Sequence, residues 1–309
     1  MTESYVITVI SHTSELTSAQ IKSIESSLLS EKLNIKEFTT KSLSSRAIDY
    51  HFITNQESSH HLQSTLKQIQ LNNTSPEYDI IFQKQSTRQA KKLFIFDMDS
   101  TLIYQEVIEL IAAYADIEDK VAEITERAMN GELDFNQSLA ERVLLLKGID
   151  STTLWDELKL KIELTNGVKP LCKALKSLNV VMGVCSGGFI PLAEHVKQEL
   201  GLDYAFANTL GIDESKKLNG TTIGPIVNGD KKAELLLEIA SKHNINPKDA
   251  VAVGDGANDL KMMSVAGFGI AWNAKPKVQQ LAPACLNTKS LLDVLYIMGY
   301  TEQEITNLI

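Results

Sequence analysis

The period of the hydrophobic pattern changes along the chain. Within the first 90 residues, β-branched and aromatic runs at 5–10, 47–53 and 78–82 predict strands, and a further strand is expected in 34–40. Between them Ile21, Ile24 and Leu28, and then Leu62, Leu66 and Ile69, recur at the spacing of one helix face. The resulting order, β-α-β-β-α-β, is the ferredoxin-like α+β pattern.

Beyond Lys91 the pattern becomes one of short apolar strands alternating with helical segments, as a parallel α/β sheet requires. Residues 93–96, 180–184 and 250–253 are the clearest strands, and each stops at a polar cluster. The clusters are Asp97-Met98-Asp99-Ser100-Thr101, Ser186-Gly187-Gly188 and Gly254-Asp255-Gly256-Ala257-Asn258-Asp259. Ligands of open α/β sheets bind beyond the carboxyl ends of the strands, so the three clusters are expected to converge. The long stretch between the first two is mostly helical, at 116–129, 134–147 and 152–164, with Gly131 and Gly148 as breaks. A helical insertion there is expected to cap the site, exclude water and recognise the substrate.

Composition divides at the same place. Residues 1–90 hold 16 serines against nine in the rest, and all 16 glycines lie at or beyond Gly131. The boundary is therefore placed in the polar stretch 83–89, giving units at 1–85 and 86–309 with a cap at about 111–165. The net charge of −9 falls almost wholly on the second unit and argues against a general nucleic-acid binder. No apolar run approaches a membrane span, and the start does not read as a signal peptide. Cys172, Cys185 and Cys285 are too widely spaced for a metal cluster or a disulfide framework. The expected setting is soluble, reducing and cytoplasmic, with neither nucleic acid nor membrane as partner.

The chemistry lies in the polar clusters. Asp97 and Asp99 stand two residues apart at a strand end, where a carboxylate can attack phosphorus and a second can move a proton; an acidic turn capping the next helix is the alternative. Asp255 and Asp259 add hard oxygen donors that suit Mg²⁺, beside the Asn258 amide. The Ser186 hydroxyl and the Gly187 and Gly188 N–H groups can hold phosphate oxygens. Lys232, opening the helical KAELLLEIA, offers an ammonium to the phosphate and the carboxylate. Glu106, within an apolar run, either pairs with a substrate ammonium or lies exposed on a helix. Arg142 shares a helix face with Phe135 and Leu139, and either grips a carboxylate with two hydrogen bonds or extends to water.

Taken in order, hhhhDxDST, hhhSGG, Lys and hhhGDGxND resemble the motifs of the haloacid-dehalogenase (HAD) phosphatase superfamily. From about Lys91 to Ile309 the chain looks like the phosphoserine phosphatase family within it. The resemblance implies a HAD-type Rossmann-like parallel sheet with a helical cap, and O-phosphoserine as substrate in the final step of serine biosynthesis. It implies Asp97 as nucleophile and Asp99 as general acid and base. Mg²⁺ would sit between the Asp97 carboxylate, the Asp99 carbonyl and Asp255, with Asp259 in support. Ser186, Gly187, Lys232 and Asn258 would hold the phosphate side. Glu106 and Arg142 match the family's ammonium- and carboxylate-binding residues, and Met129 and Phe135 match the apolar residues that close around the substrate. The front unit resembles the ACT family of amino-acid-sensing modules, although its first turn, Ser11-His12-Thr13-Ser14, lacks the usual glycine; packing or homodimer formation is its expected role. Three other readings compete: a phosphatase acting on another small phosphomonoester, phosphotransfer to an alcohol instead of water, and a noncatalytic amino-acid sensor.

Overall fold

A computed structural model describes residues 2–33, 35–72 and 77–309. The front part contains β1 (Thr2–Ser11), α1 (Ser18–Leu28), β2 (Thr39–Ser42), β3 (Ala47–Asn55), α2 (Gln56–Asn72) and β4 (Tyr78–Lys84). Its sheet has the order β2-β3-β1-β4 and every neighbouring pair is antiparallel. The β-α-β-β-α-β order is thus observed. The second strand starts at Thr39, later than expected, and Asn34 lies outside the described residues. Ile69 leaves the expected helical stripe and is 39% exposed, whereas Leu62 and Leu66 are buried.

Alternation on β1 divides its side chains between two environments. Tyr5, Ile7 and Val9 pack with Ile24, Leu28, Leu62 and Leu66 of the two helices. Ile10 on the opposite face joins the core of the second part. Thr8 and Asp49 are also buried, and their partner is Arg88. The Arg88 guanidinium donates to both Asp49 oxygens, to Thr8 and to the Tyr296 and Ile297 carbonyls. Gln83 donates to the Ile297 carbonyl as well. The polar stretch 83–89 therefore includes two buried clamps, a property its composition does not reveal.

The second part contains β5 (Leu93–Phe96), α3 (Val107–Tyr114), α4 (Glu118–Met129), α5 (Phe135–Leu145), α6 (Ser151–Lys159), α7 (Val168–Ser177), β6 (Val181–Phe189), α8 (Ile190–Leu200), β7 (Tyr204–Ile212), β8 (Leu218–Ile223) and α9 (Gly229–Lys242). It continues with β9 (Ala250–Gly254), α10 (Leu260–Val265), β10 (Phe268–Trp272), α11 (Pro276–Leu281), β11 (Ala284–Leu286), α12 (Val294–Ile297) and α13 (Glu302–Leu308). The seven-stranded sheet runs β11-β10-β9-β5-β6-β7-β8, parallel except for β8 at the edge. Phe94 and Phe96 enter the core on one face, Leu93 and Ile95 that on the other. This explains the unbroken apolar run, since a central parallel strand is covered on both sides.

Helices α3 to α6 form the insertion between β5 and β6. Asp134 and Asp150 cap the N-termini of α5 and α6 with their side chains, and the two helices end at Leu145 and Lys159, before the expected limits of 147 and 164. The insertion is also tied to the β7–β8 hairpin. Gly148 N–H donates to the Leu218 carbonyl (2.8 Å), Leu218 N–H to Ile149 (2.8 Å) and Ser151 N–H to Lys216 (3.0 Å).

Candidate active site

Asp97 follows immediately after β5, the middle strand, and its N–H donates to the Val253 carbonyl (2.8 Å) of adjacent β9. The chain then turns sharply, with Ser100 in the left-handed region (φ 53°). Asp99 Oδ1 accepts from Val107 N–H (3.2 Å) at the start of α3, and Ser100 Oγ donates to Glu106 Oε1 (2.7 Å). The turn thereby brings Glu106 back towards the carboxylates.

At the end of β9 a methyl group on Gly254 would stand 2.3 Å from Asp259 Cγ, so only glycine leaves room for that carboxylate. Asp259 Oδ2 accepts from Gly256 N–H (3.0 Å), and its Oδ1 accepts from Lys232 Nζ (2.7 Å). Lys232 also donates to Asp97 Oδ1 (2.6 Å) and is fully buried in the first turn of α9. Its neighbour Lys231 pairs instead with Glu234 and Glu238, so of the two adjacent lysines only Lys232 reaches the aspartates.

Burial pushes the Asp97 carboxyl well above the usual range, and the Asp259 charge adds to this against the opposing pull of Lys232. Burial and then Asp259 raise Asp255 to about 7. Burial and then Glu106 raise Asp99 to about 8. For Lys232, burial alone favours the neutral amine, but Asp259 and Asp97 outweigh it and hold the ammonium charged.

Asp97, Asp255 and Asp259 present oxygens that all lie within 4.8 Å of one another. Among the described residues one ammonium, Lys232, pairs with this group. The remaining negative charge on hard oxygens fits a divalent cation such as Mg²⁺. Both Asp259 oxygens are already engaged by Lys232 and Gly256, which leaves Asp97 and Asp255 as the freer carboxylate ligands.

The Ser186-Gly188 segment differs from expectation. Strand β6 does not stop at Val184 but runs through these residues to Phe189, with a shift in its pairing to β7 between Cys185 and Phe189. Ser186 Oγ accepts from Gly188 N–H (2.8 Å). Asn208 on β7, which the sequence reading did not single out, donates to the Gly187 carbonyl (2.8 Å) and accepts from Val227 N–H (2.8 Å). An amide closing the apolar run Tyr204-Ala205-Phe206-Ala207 was the available signal.

The cap approaches the same place. A methyl group on Gly187 would meet Phe135 Cζ at 2.9 Å and the Asn258 amide nitrogen at 3.7 Å, so ring and amide both border Gly187. Asn136 accepts from Asn228 across the cap-to-core gap (3.1 Å). Arg142 donates through Nε to the Ser138 carbonyl (3.2 Å), and its terminal nitrogens pair with no carboxylate among the described residues. Burial lowers its pKa, opposed by the charges of Glu106 and Asp99. Glu106 and Arg142 are both half-buried beside the acidic cluster. Met129 is the exception: it is 74% exposed at the C-terminal end of α4, outside the packed set.

A family model described as haloacid dehalogenase-like hydrolase matches residues 91–267, the stretch that contains all three strand-end clusters. The phosphoserine phosphatase of Saccharomyces cerevisiae is 51% identical over 307 residues, covering 98% of each chain. The chain belongs to the haloacid dehalogenase-like hydrolases and, within them, to the phosphoserine phosphatase family. Among solved structures, a HAD family hydrolase from Salmonella enterica serovar Typhi is 28% identical with a TM-score of 0.78, covering 96% of this chain and 98% of that one. A phospho-aspartyl intermediate analogue of phosphoserine phosphatase is 42% identical with a TM-score of 0.62, covering 67% of this chain and 98% of that one.

Proposed function

We propose that the chain hydrolyses O-phosphoserine to serine and inorganic phosphate through a phosphorylated Asp97. One observation carries this reading: a buried lysine joins Asp97 to Asp259 while Glu106 and Arg142 stand beside the same cluster. The first arrangement handles a phosphoryl group, and the second provides opposite charges for the ammonium and carboxylate of an amino acid.

Asp97, Asp255 and the Asp99 carbonyl would hold Mg²⁺. When bound, the cation supplies the positive charge that lets a dianionic ester approach carboxylates. Lys232 holds Asp97 Oδ1, and no donor among the described residues reaches Oδ2. An Asp97 oxygen forms the new bond to phosphorus as the bond from phosphorus to the serine oxygen breaks. Asp99, raised to about 8, is protonated at neutral pH and gives that proton to the departing oxygen. It then takes a proton from water, whose oxygen attacks phosphorus and frees Asp97. Ser186 accepts from Gly188, so its own proton is free for a phosphate oxygen alongside Gly187 N–H and the Lys232 ammonium. Phe135 excludes water over Gly187, the Asn258 amide stands on the phosphate side beside Gly187, and Asp259 braces the metal side.

In the same reading residues 1–85 form an ACT-like unit and 86–309 the phosphatase unit, with its cap at about 111–165. The antiparallel bridge between Ile103 and Leu164 at the base of the insertion supports the later of these cap limits.

The test is phosphate release by purified protein from phosphoserine and from esters lacking a zwitterion, each with Mg²⁺ or a chelator. Phosphoserine should be strongly preferred and the chelator should abolish turnover. Equal use of all esters, or turnover unaffected by chelation, would contradict the reading.

A further inference from the structure

Asn208 is 1% exposed and lies where β7 resumes pairing with β6, opposite Phe189. Both ends of its amide are used. Nδ2 donates to the Gly187 carbonyl (2.8 Å) and Oδ1 accepts from Val227 N–H (2.8 Å). These partners fix the orientation of the amide, because a carbonyl needs a donor and an N–H needs an acceptor.

The two partners belong to separate segments. Gly187 lies in the bulged end of β6 beside the Ser186 hydroxyl. Val227 directly precedes Asn228, which caps α9 by accepting from Lys231 N–H (3.1 Å), and Lys232 follows in the same turn. One side chain therefore spans the two segments that present Ser186, Gly187 and Lys232. We infer that Asn208 is a positioning residue that sets the spacing between the Ser186–Gly187 edge and the Lys232 turn, and so the fit of the site to a phosphoryl group. This rests on the phosphatase reading above.

The chemistry requires an amide. A carboxylate could still accept from Val227 but would set negative charge against the Gly187 carbonyl, and a serine hydroxyl is too short to bridge both segments. The effect should fall on the phosphate end of any substrate and leave amino-acid recognition alone.

The experiment compares wild type with Asn208→Asp on phosphoserine and on a phenyl phosphate ester, with inorganic phosphate as competing ligand. For the folded variant, KM for both esters and the inhibition constant of phosphate should rise about tenfold, the size expected from unsatisfying a partly buried carbonyl. The thermal shift produced by Mg²⁺ should remain that of wild type. The ratio of variant to wild-type kcat/KM should recover as pH falls from about 8 to about 6, because a protonated carboxyl regains a donor for Gly187. Wild-type values for both esters and for phosphate, or a fall in kcat alone, would overturn the inference. If Asn208→Asp does not fold, Asn208→Ser carries the same comparison, and failure of both to fold would assign Asn208 to the core and also overturn it. A wild type that releases no phosphate from phosphoserine would speak against the function instead; binding of inorganic phosphate, read by thermal shift in wild type and variant, would then judge Asn208 separately.

Discussion

At the scale of single residues, the site is a contest between burial and charge that one ammonium group only partly resolves. Lys232→Met leaves Asp97 and Asp259 buried without their cation. Calorimetry should show the metal-free protein destabilised by about 3–5 kcal/mol, and kcat should fall at least ~100-fold. An unchanged kcat would remove Lys232 from the site. Arg142→Ala should raise KM for phosphoserine by tenfold or more, about 1.5–3 kcal/mol for a lost charged hydrogen bond, while sparing an ester that has no carboxylate. Equal losses on both substrates would refute a role in recognition. Asp255 and Asp99, raised to about 7 and about 8, bind protons in the folded chain that the unfolded chain releases near pH 4. Their contribution to stability without metal is thus present at low pH and is lost as pH rises through 7 to 8. Mg²⁺ held by the Asp255 carboxylate would compete with that group's proton, so its stabilising thermal shift should be larger at pH 8 than at pH 6. Equal shifts at both pH values would show that this carboxyl is ionised throughout.

At the scale of elements, the strand ends fix what the side chains do. Gly254→Ala would set a methyl group 2.3 Å from Asp259 Cγ, and the displaced carboxylate would lose its grip on Lys232 and Gly256. Turnover should drop at least ~10-fold with the far-ultraviolet spectrum preserved, whereas wild-type turnover would show that β9 can yield. Strands 93–96 and 250–253 were legible because sheet-centre strands read as unbroken apolar runs, and the capped helices because Asp134 and Asp150 precede them. The end of β6 was not legible. Serine and glycine do not signal a strand, and pairing with β7 carries the strand through them. The β7–β8 hairpin was missed for a related reason, since it is an edge with Ile212 and Ile223 turned outward. Of the proposed site residues, Asp97, Asp255, Asp259, Ser186 and Lys232 stood in recognisable clusters. Asn208 did not, because its partners Gly187 and Val227 lie about 20 residues away on either side.

At the scale of the whole molecule, the two sheets are joined by contacts that no local pattern displays. Arg88 reaches Tyr296 and Ile297 across more than 200 residues while clasping Asp49. Arg88→Met should leave Asp49 buried without its guanidinium partner, held among the described residues only by Thr8 and His51, lowering stability by about 3–5 kcal/mol in denaturant unfolding. An unchanged unfolding midpoint would mean the clamp is dispensable. The hydrogen bonds of Gly148, Leu218 and Ser151 tie the cap to the hairpin that carries Asn208 at its root, so cap, hairpin and phosphate-facing segments form one connected frame. In the proposed reaction, that frame serves to form and break one bond at residue 97. The direct measurement is to acid-quench the protein within its first turnover of phosphoserine with Mg²⁺ and locate the added phosphoryl mass by peptide mass spectrometry. The account predicts that mass on Asp97 and its absence in Asp97→Asn; phosphoserine turnover with the phosphoryl group on another residue, or undiminished turnover in Asp97→Asn, would contradict it.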